Sequence, residues 1–359
     1  MDLSVSRKMI QELSDAFGAS GYEDEVIQIA RRYAEGLAER VEEDSLRNLF
    51  LYRKENTGEQ PVVMLDAHSD EVSFMVQAIH PNGTLDFIPL GAWTPNTIPA
   101  HKVKILNREG QYISGIVASN PPHLTRKGDQ SQNTAIEDMV IDVGAVSKEE
   151  VEQVFKIGVG SPAIPDVQWE YNEKNDVMLG KAFDCRIGCS VLLESLKELV
   201  GTKLDVDVVG VLTSQEEMGE RGAMAAVGHV KPQLAIVLEG APADDIFEAE
   251  YKIQSGLHRG PMMRCIDSSM IANPRLVRLV REIAAEAGIP LQEAARRGGG
   301  TDGGVIHTAT GSVPTVVISV PVRYIHSHHC FTALDDFEKT VKLIVAILKK
   351  LNADIIGGF

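Results

Sequence analysis

No stretch of the 359-residue chain approaches the roughly 18 consecutive apolar residues that a membrane span requires. The first residues, Met1-Asp2-Leu3-Ser4-Val5-Ser6-Arg7-Lys8, lack the apolar core of a signal peptide. No membrane partner is therefore expected, and the cytoplasm is the expected compartment. Positive charge is scarce: Lys and Arg number 35 against 51 Asp and Glu, a formal charge of −16. Nucleic acids and anionic membranes are bound through basic patches, so neither is an expected partner. Cationic substrates or metal ions suit this balance better. Cysteine is sparse too, with Cys185, Cys189, Cys265 and Cys330 as the whole set. In a reducing compartment these are expected as free thiols, buried as small apolar groups. The spacing of Cys185 and Cys189 suits one helix face, but two thiols alone make a poor zinc site. There is no internal repeat or low-complexity tract. What is present is a composition 44% hydrophobic and 24% charged, that of a globular protein with one large core or two domains.

Residues 22–40 read as an amphipathic helix with Val26, Ala30, Tyr33 and Leu37 on one face and Ser20 as a cap near its start. A second helix begins with Asn273 as N-cap and Pro274 at its first position, buries Leu276, Leu279, Val280 and Ile283, and stops at Gly288 before Pro290. The last helix follows Asp335-Asp336 and buries Phe337, Val341, Ile344 and Leu348. Between these lie short apolar runs of strand type, Val62–Leu65, Val206–Leu212, Leu234–Leu238 and Val313–Val320. The pattern predicts a mixed α/β sheet with helices on both faces. From about Val72 to Asp166 the character changes. Turn signals stand at Asn82-Gly83 and Glu109-Gly110, Pro89, Pro95, Pro99, Pro121 and Pro122 interrupt the chain, and helical periodicity is nearly absent until Ser147–Phe155. This predicts a small β-rich, barrel-like domain (72–166) inserted between two segments of the α/β domain (1–71 and 167–359).

Four strand-like runs lead into residues that bind metals. Val62–Leu65 leads to His68 and Asp70, Val206–Leu212 to Glu216 and Glu217, Leu234–Leu238 to Glu239, and Val313–Val320 to His326. Ligands gather outside the carboxyl ends of strands in open α/β sheets, so these positions can converge. Asp184 opens an apolar helix, where a carboxylate also suits the helix dipole. Singly, each has an ordinary explanation: a hydrogen-bonded histidine, solvated helix-start acids, an N-cap aspartate. Together, two histidines and three carboxylates suit zinc, cobalt or manganese rather than calcium or magnesium. Five donors exceed one four-coordinate ion with an open position and suit two ions sharing a carboxylate, for which Asp184 is the natural candidate. Of the adjacent pair Glu216 and Glu217, one would bind metal and the other take a proton from water as general base.

At these residues the sequence resembles the cytosolic di-metal aminopeptidases that build tetrahedral particles, the glutamyl and deblocking aminopeptidases and their relatives. The matching segments are Ala67-His68-Ser69-Asp70-Glu71, Lys181-Ala182-Phe183-Asp184, Gln215-Glu216-Glu217-Met218-Gly219-Glu220-Arg221-Gly222-Ala223, Gly298-Gly299-Gly300-Thr301-Asp302-Gly303-Gly304 and Arg323-Tyr324-Ile325-His326-Ser327, with Pro121-Pro122-His123-Leu124 in the insert. The resemblance implies that His68 and Glu239 bind one metal, Glu217 and His326 the other, and that Asp184 bridges. It implies Glu216 as general base, Asp70 orienting His68, and Gly300, Thr301 and Asp302 as substrate-binding residues. It further implies peptide substrates, a preference for acidic N-terminal residues, and an insert that mediates dimer contacts in a dodecamer of six dimers. Two positions depart from the family pattern: Glu239 stands where members usually carry Asp, and Cys185 where they carry Asp or Asn. Arg296, Arg297 and Lys181 are the candidate basic residues for a specificity pocket. A di-metal carboxypeptidase or deacylase shares this ligand pattern, and an assembly with a decayed metal site is the non-enzymatic alternative. Adjacent Glu216 and Glu217 do not suit a glycosidase, whose carboxyl groups must flank a glycosidic bond.

Overall fold

Alternating apolar runs and amphipathic helices assemble into a large mixed sheet clothed by helices, with a barrel set into the chain between its strands. The computed structural model describes residues 1–119 and 135–359; Pro121-Pro122-His123-Leu124, part of the family resemblance, lies outside these. Among the described residues, the sheet centre is parallel. Val62–His68 lies between Asp207–Thr213 and Leu234–Pro242, and Thr315–Arg323 follows on the far side of Leu234–Pro242. These four strands are almost wholly buried, which is why they read as continuous apolar runs. Antiparallel strands extend the sheet, with Leu49–Arg53 and Ala38–Glu43 on one side and Cys330–Ala333, Val177–Gly180 and Glu170–Asn172 on the other. Met262–Ile266 also pairs with Thr315–Arg323.

Register decides what the sheet presents. Thr213 stands opposite His68, Asp66 opposite Val237, and Glu239 opposite Ser319. The carboxyl ends of the central strands therefore finish side by side, and the loops that leave them share one rim. Helix Phe183–Glu198 packs on Val62–His68 and Leu234–Pro242 beneath that rim, supported by Leu3–Asp15 and Leu334–Lys350.

Two helices differ from expectation. The first spans Asp24–Ala34, not 22–40. Gly36 adopts a left-handed φ of 80° and the chain turns into the strand Ala38–Glu43. Ser20 caps nothing there; its hydroxyl donates to Asp70 Oδ2 at 2.6 Å. The second helix, Pro274–Glu286, is as expected, with Asn273 accepting from the N–H groups of Arg275 and Leu276. The last helix, Leu334–Lys350, is the other to differ: it begins at Leu334, so Asp335-Asp336 lie in its first turn and do not precede it, and the buried Asp336 accepts from the N–H groups of His258 and Gly260.

Strands Ser73–Ile79, Leu85–Leu90, Val140–Asp142, Tyr112–Ala118, Lys102–Leu106 and Pro162–Pro165 close in that order into a six-stranded barrel. The Asn82-Gly83 turn joins its first two strands, with φ of 89° at Gly83. Ser147 caps the short helix Lys148–Gln153 by accepting from Glu150 N–H. Phe74, Val76, Val103, Ile105, Val117 and Ile141 give the barrel its own core.

Candidate active site

His68 ends its strand fully buried, held by its neighbour two residues on. Asp70 Oδ1 lies 3.3 Å from His68 Nδ1 and accepts from the Glu216 N–H at 3.0 Å. Its Oδ2 accepts from Ser20 and from the Glu217 N–H. Burial acts to raise the Asp70 pKa, but the His68 contact and these hydrogen bonds hold it below the usual carboxylate range.

The segment after Thr213 explains how two adjacent glutamates enter one cavity. Gln215 adopts a left-handed φ of 52°, and its N–H donates to buried Glu23. The turn closes with Gly222 N–H donating to Ser214 C=O at 3.0 Å. A Cβ on Gly222 would stand 2.2 Å from that carbonyl oxygen, so no other residue fits. Glu216 Oε2 then lies 3.8 Å from His68 Nε2, and Glu217 Oε1 lies 3.8 Å from His326 Nε2.

Asp184 is not a helix cap. Its φ and ψ of −85° and 107° are extended, Cys185 at −115° and 31° is also non-helical, and regular helix begins only afterwards. Its Oδ1 lies 2.9 Å from His68 Nε2 and its Oδ2 lies 3.2 Å from His326 Nε2. Burial opposes ionisation, yet hydrogen bonds from His326 and His68 hold its pKa well down. Cys185 and Cys189 do not share a regular helix face; their thiols donate to the carbonyls of Leu238 and His68.

Glu239 completes the ring, its Oε2 3.7 Å from His68 Nε2. Burial pushes Glu217 and Glu239 up to about 8, opposed by histidine and, for Glu239, by Arg264, and reinforced by Asp184 beside both. Burial likewise lifts Glu216 well above the usual range. His326 is raised to about 9 because Asp184 and Glu217 outweigh its desolvation. Such crowding marks a place short of positive charge. Donor atoms of His68, Asp184, Cys185 and Glu239 lie within 4.8 Å of one another, as do those of Asp184, Glu217 and His326. Glu217 Oε1 is buried without a hydrogen-bond partner. The residues therefore fit divalent metal ions.

All five proposed ligands and Glu216 line one cavity of about 470 Å³, with Gly300 and Thr301 on its glycine-rich wall. Asp302 does not line it. That carboxylate is fully buried and accepts from Thr213 Oγ1 at 2.6 Å, so it supports the wall from behind. Lys181 is no pocket residue either: its ammonium is buried between the carboxylate of Glu71 and the Ala16 carbonyl. Arg296 reaches the cavity while paired with Asp244; Arg297 does not line it.

Three contributors were missed. Arg264 lines the cavity from Met262–Ile266, and a lone arginine in that apolar run was the available signal. Glu220 lines it from the Gly219 turn. Ala92, within the insert, accepts from His326 Nδ1 at 2.8 Å, so the insert touches the site. A backbone acceptor carries no side-chain signal.

A family model described as M42 glutamyl aminopeptidase matches residues 48–343. The chain belongs to the M42 glutamyl aminopeptidase family. M42 enzymes are metallopeptidases, so the donor clusters agree with the membership. The chain is 31% identical to the glutamyl aminopeptidase of Lactococcus lactis subsp. cremoris (strain MG1363), over 96% of each chain. The TET aminopeptidase of the marine sediment archaeon Thaumarchaeota archaeon SCGC AB-539-E09 superposes with a TM-score of 0.94 at 36% identity, covering 99% of both chains. The Pyrococcus horikoshii TET1 peptidase, which can assemble into a tetrahedron or a large octahedral shell, gives 0.85 at 28% identity, over 96% of this chain and 100% of that one. As an M42 member this chain is an aminopeptidase-type hydrolase, and no helix among its described residues is long and apolar enough to cross a membrane.

Proposed function

We propose that this M42 chain removes N-terminal residues from peptides with two divalent metal ions, and that it prefers acidic N-terminal residues. Asp184 carries the reading, since one carboxylate spans the two histidines through its two oxygens. It divides the donors into His68 with Glu239 and Glu217 with His326, and is shared by both sets. Zinc or cobalt suits these donors, and manganese is the alternative. When bound, such ions polarise the scissile carbonyl and make water more acidic. Glu216 stands in the cavity wall to take a proton from the attacking water and pass it to the leaving amine. Asp70 fixes the His68 ring from behind. Gly300 and Thr301 flank the substrate.

Arg264 supports the acidic preference. It is 6% exposed, lines the cavity, donates to Asp267, and has a buried Nε without a hydrogen-bond partner. The barrel, residues 72–166, is the proposed dimerisation domain of a cytoplasmic dodecamer, and residues 1–71 and 167–359 form the catalytic domain. The tetrahedral assembly of the Pyrococcus relative supports this.

The test uses matched peptides with free or acetylated N-termini, with and without C-terminal amidation, in the presence of zinc, cobalt or manganese. Cleavage that needs the free amine and ignores amidation is expected. Cleavage that tolerates the acetyl group but fails on amidated peptides would move the protein to the carboxypeptidase reading.

A further inference from the structure

We infer that Cys185 supplies a thiolate ligand to the ion held by His68, Asp184 and Glu239, giving this chain one sulfur-containing metal site and one without sulfur. The inference rests on the di-metal reading and extends it to a residue that is Asp or Asn in the usual family pattern.

The geometry is that of a small cage. The four donor atoms lie within 4.8 Å of one another. His68 Nε2 is 2.9 Å from Asp184 Oδ1 and 3.7 Å from Glu239 Oε2. Bonds of about 2.0–2.3 Å from a central zinc give tetrahedral edges of roughly 3.3–3.8 Å, so the histidine–carboxylate edges are already close to those of a coordinated ion. Cys185 Sγ lies 2.9 Å from the Leu238 carbonyl, directly before Glu239 in the chain. A Cβ on Gly188 would stand 2.4 Å from both Sγ and that carbonyl oxygen. The sulfur is thus pinned against the strand that carries Glu239, with no exposure to solvent.

The second set, Asp184, Glu217 and His326, contains no sulfur. Cys189 lies one turn further along, and its thiol donates to the His68 carbonyl. The two ions therefore meet unlike surroundings. On binding, the Cys185 S–H bond breaks, its proton leaves to solvent, and the sulfur lone pair forms the bond to the metal. A soft donor of this kind favours zinc over manganese at the first site, while imidazole and carboxylates alone leave the second more tolerant.

Cobalt(II) is the probe, added to the full-length protein after chelator treatment, with absorption spectra as the readout. A thiolate-to-cobalt charge-transfer band in the near ultraviolet is expected in the unmodified protein and in Cys189→Ser. It should be lost in Cys185→Ser and in Cys185→Asn, the latter restoring a residue usual in the family. Circular dichroism and sedimentation check that each variant folds and assembles. If the band persists in either folded Cys185 variant, or is missing in an unmodified protein that binds cobalt stoichiometrically, the thiolate assignment is overturned and the di-metal reading stands. If the unmodified protein binds neither cobalt nor zinc, the di-metal reading itself fails.

Discussion

Removing the Glu71 carboxylate should be among the most destabilising single changes in the molecule, although the residue does not line the active-site cavity. Its Oε1 and Oε2 lie 2.6 and 2.8 Å from Lys181 Nζ, and Oε1 lies 3.2 Å from Arg186 Nη2 and 3.1 Å from the Gly18 N–H. All three side chains are about 1% exposed. Two cations thus share one buried anion, with carbonyls of Leu13, Ala16, Gly18 and Ser69 accepting the remaining donors. Burial already lowers the Lys181 pKa, and Glu71 opposes that shift. Glu71→Gln leaves both cations uncompensated, a change that costs about 3–5 kcal/mol when a buried pair is broken. That is roughly two to four powers of ten in the folding equilibrium. Lys181→Met is milder, because Arg186 still balances Glu71; about 1–3 kcal/mol is expected. The double variant should cost less than the sum by about 0.5–3 kcal/mol. Urea unfolding at one fixed protein concentration, followed by the fluorescence of Trp93 and Trp169, measures all three. A loss below about 1 kcal/mol for Glu71→Gln, or strict additivity, would refute the reasoning. Lys181→Met should also leave the ratio of kcat/KM for glutamyl and leucyl substrates unchanged, because Lys181 faces Glu71 and not the cavity.

Other outcomes follow from the cavity. Glu216→Gln should keep metal content while lowering kcat by at least about 10²-fold, the contribution typical of a general base; Glu217→Gln should instead lose metal, and exchanged phenotypes would reverse their roles. Arg264→Met should reduce kcat/KM for glutamyl over leucyl substrates by roughly ten- to a hundredfold, matching the ~1.5–3 kcal/mol of a charged hydrogen bond; an unchanged ratio places acidic recognition elsewhere. Glu217 and Glu239 near 8, and His326 near 9, are largely protonated at pH 7 in the metal-free protein. Metal binding at pH 7 should therefore release protons, and the release should shrink as pH rises past 9. Calorimetry in buffers of different ionisation enthalpy reads this directly, and heats independent of buffer would contradict it. Sedimentation should find an oligomer at micromolar concentration; a stable monomer would remove the barrel's proposed part in assembly.

The parallel strands were legible because burial on both faces leaves an unbroken apolar signature, and their carboxyl ends pointed to His68, Glu217, Glu239 and His326. The barrel was legible through its turns, such as Asn82-Gly83. Helix limits were less so. Leu37 continues the apolar spacing of Asp24–Ala34, and only the left-handed Gly36 shows that it belongs to the turn leading into the strand Ala38–Glu43. The polar neighbours of the site were hardest to read. Asp302 and Lys181 sit in motifs beside the ligands, yet a motif does not say which way a side chain turns. Both face inward, to Thr213 and to Glu71. Ala92 acts through its carbonyl, and Arg264 required knowing that its strand runs alongside Thr315–Arg323.

Asp70 has a consequence for how such a site can change over generations. Its two oxygens meet the His68 ring, the Ser20 hydroxyl and the N–H groups of both Glu216 and Glu217. One short side chain thus aligns a histidine from one strand end with two glutamates from another and ties both to the turn between helices Leu3–Asp15 and Asp24–Ala34. Asparagine would present an amide where at least one of these donors now finds an oxygen, and glutamate would displace all four contacts together. Substitutions at the periphery, at Glu239 or Cys185, would leave that junction untouched, because neither residue is among the Asp70 contacts. Change is therefore better tolerated at the outer positions of the cavity than at the junction behind His68, where one substitution disturbs four contacts at once.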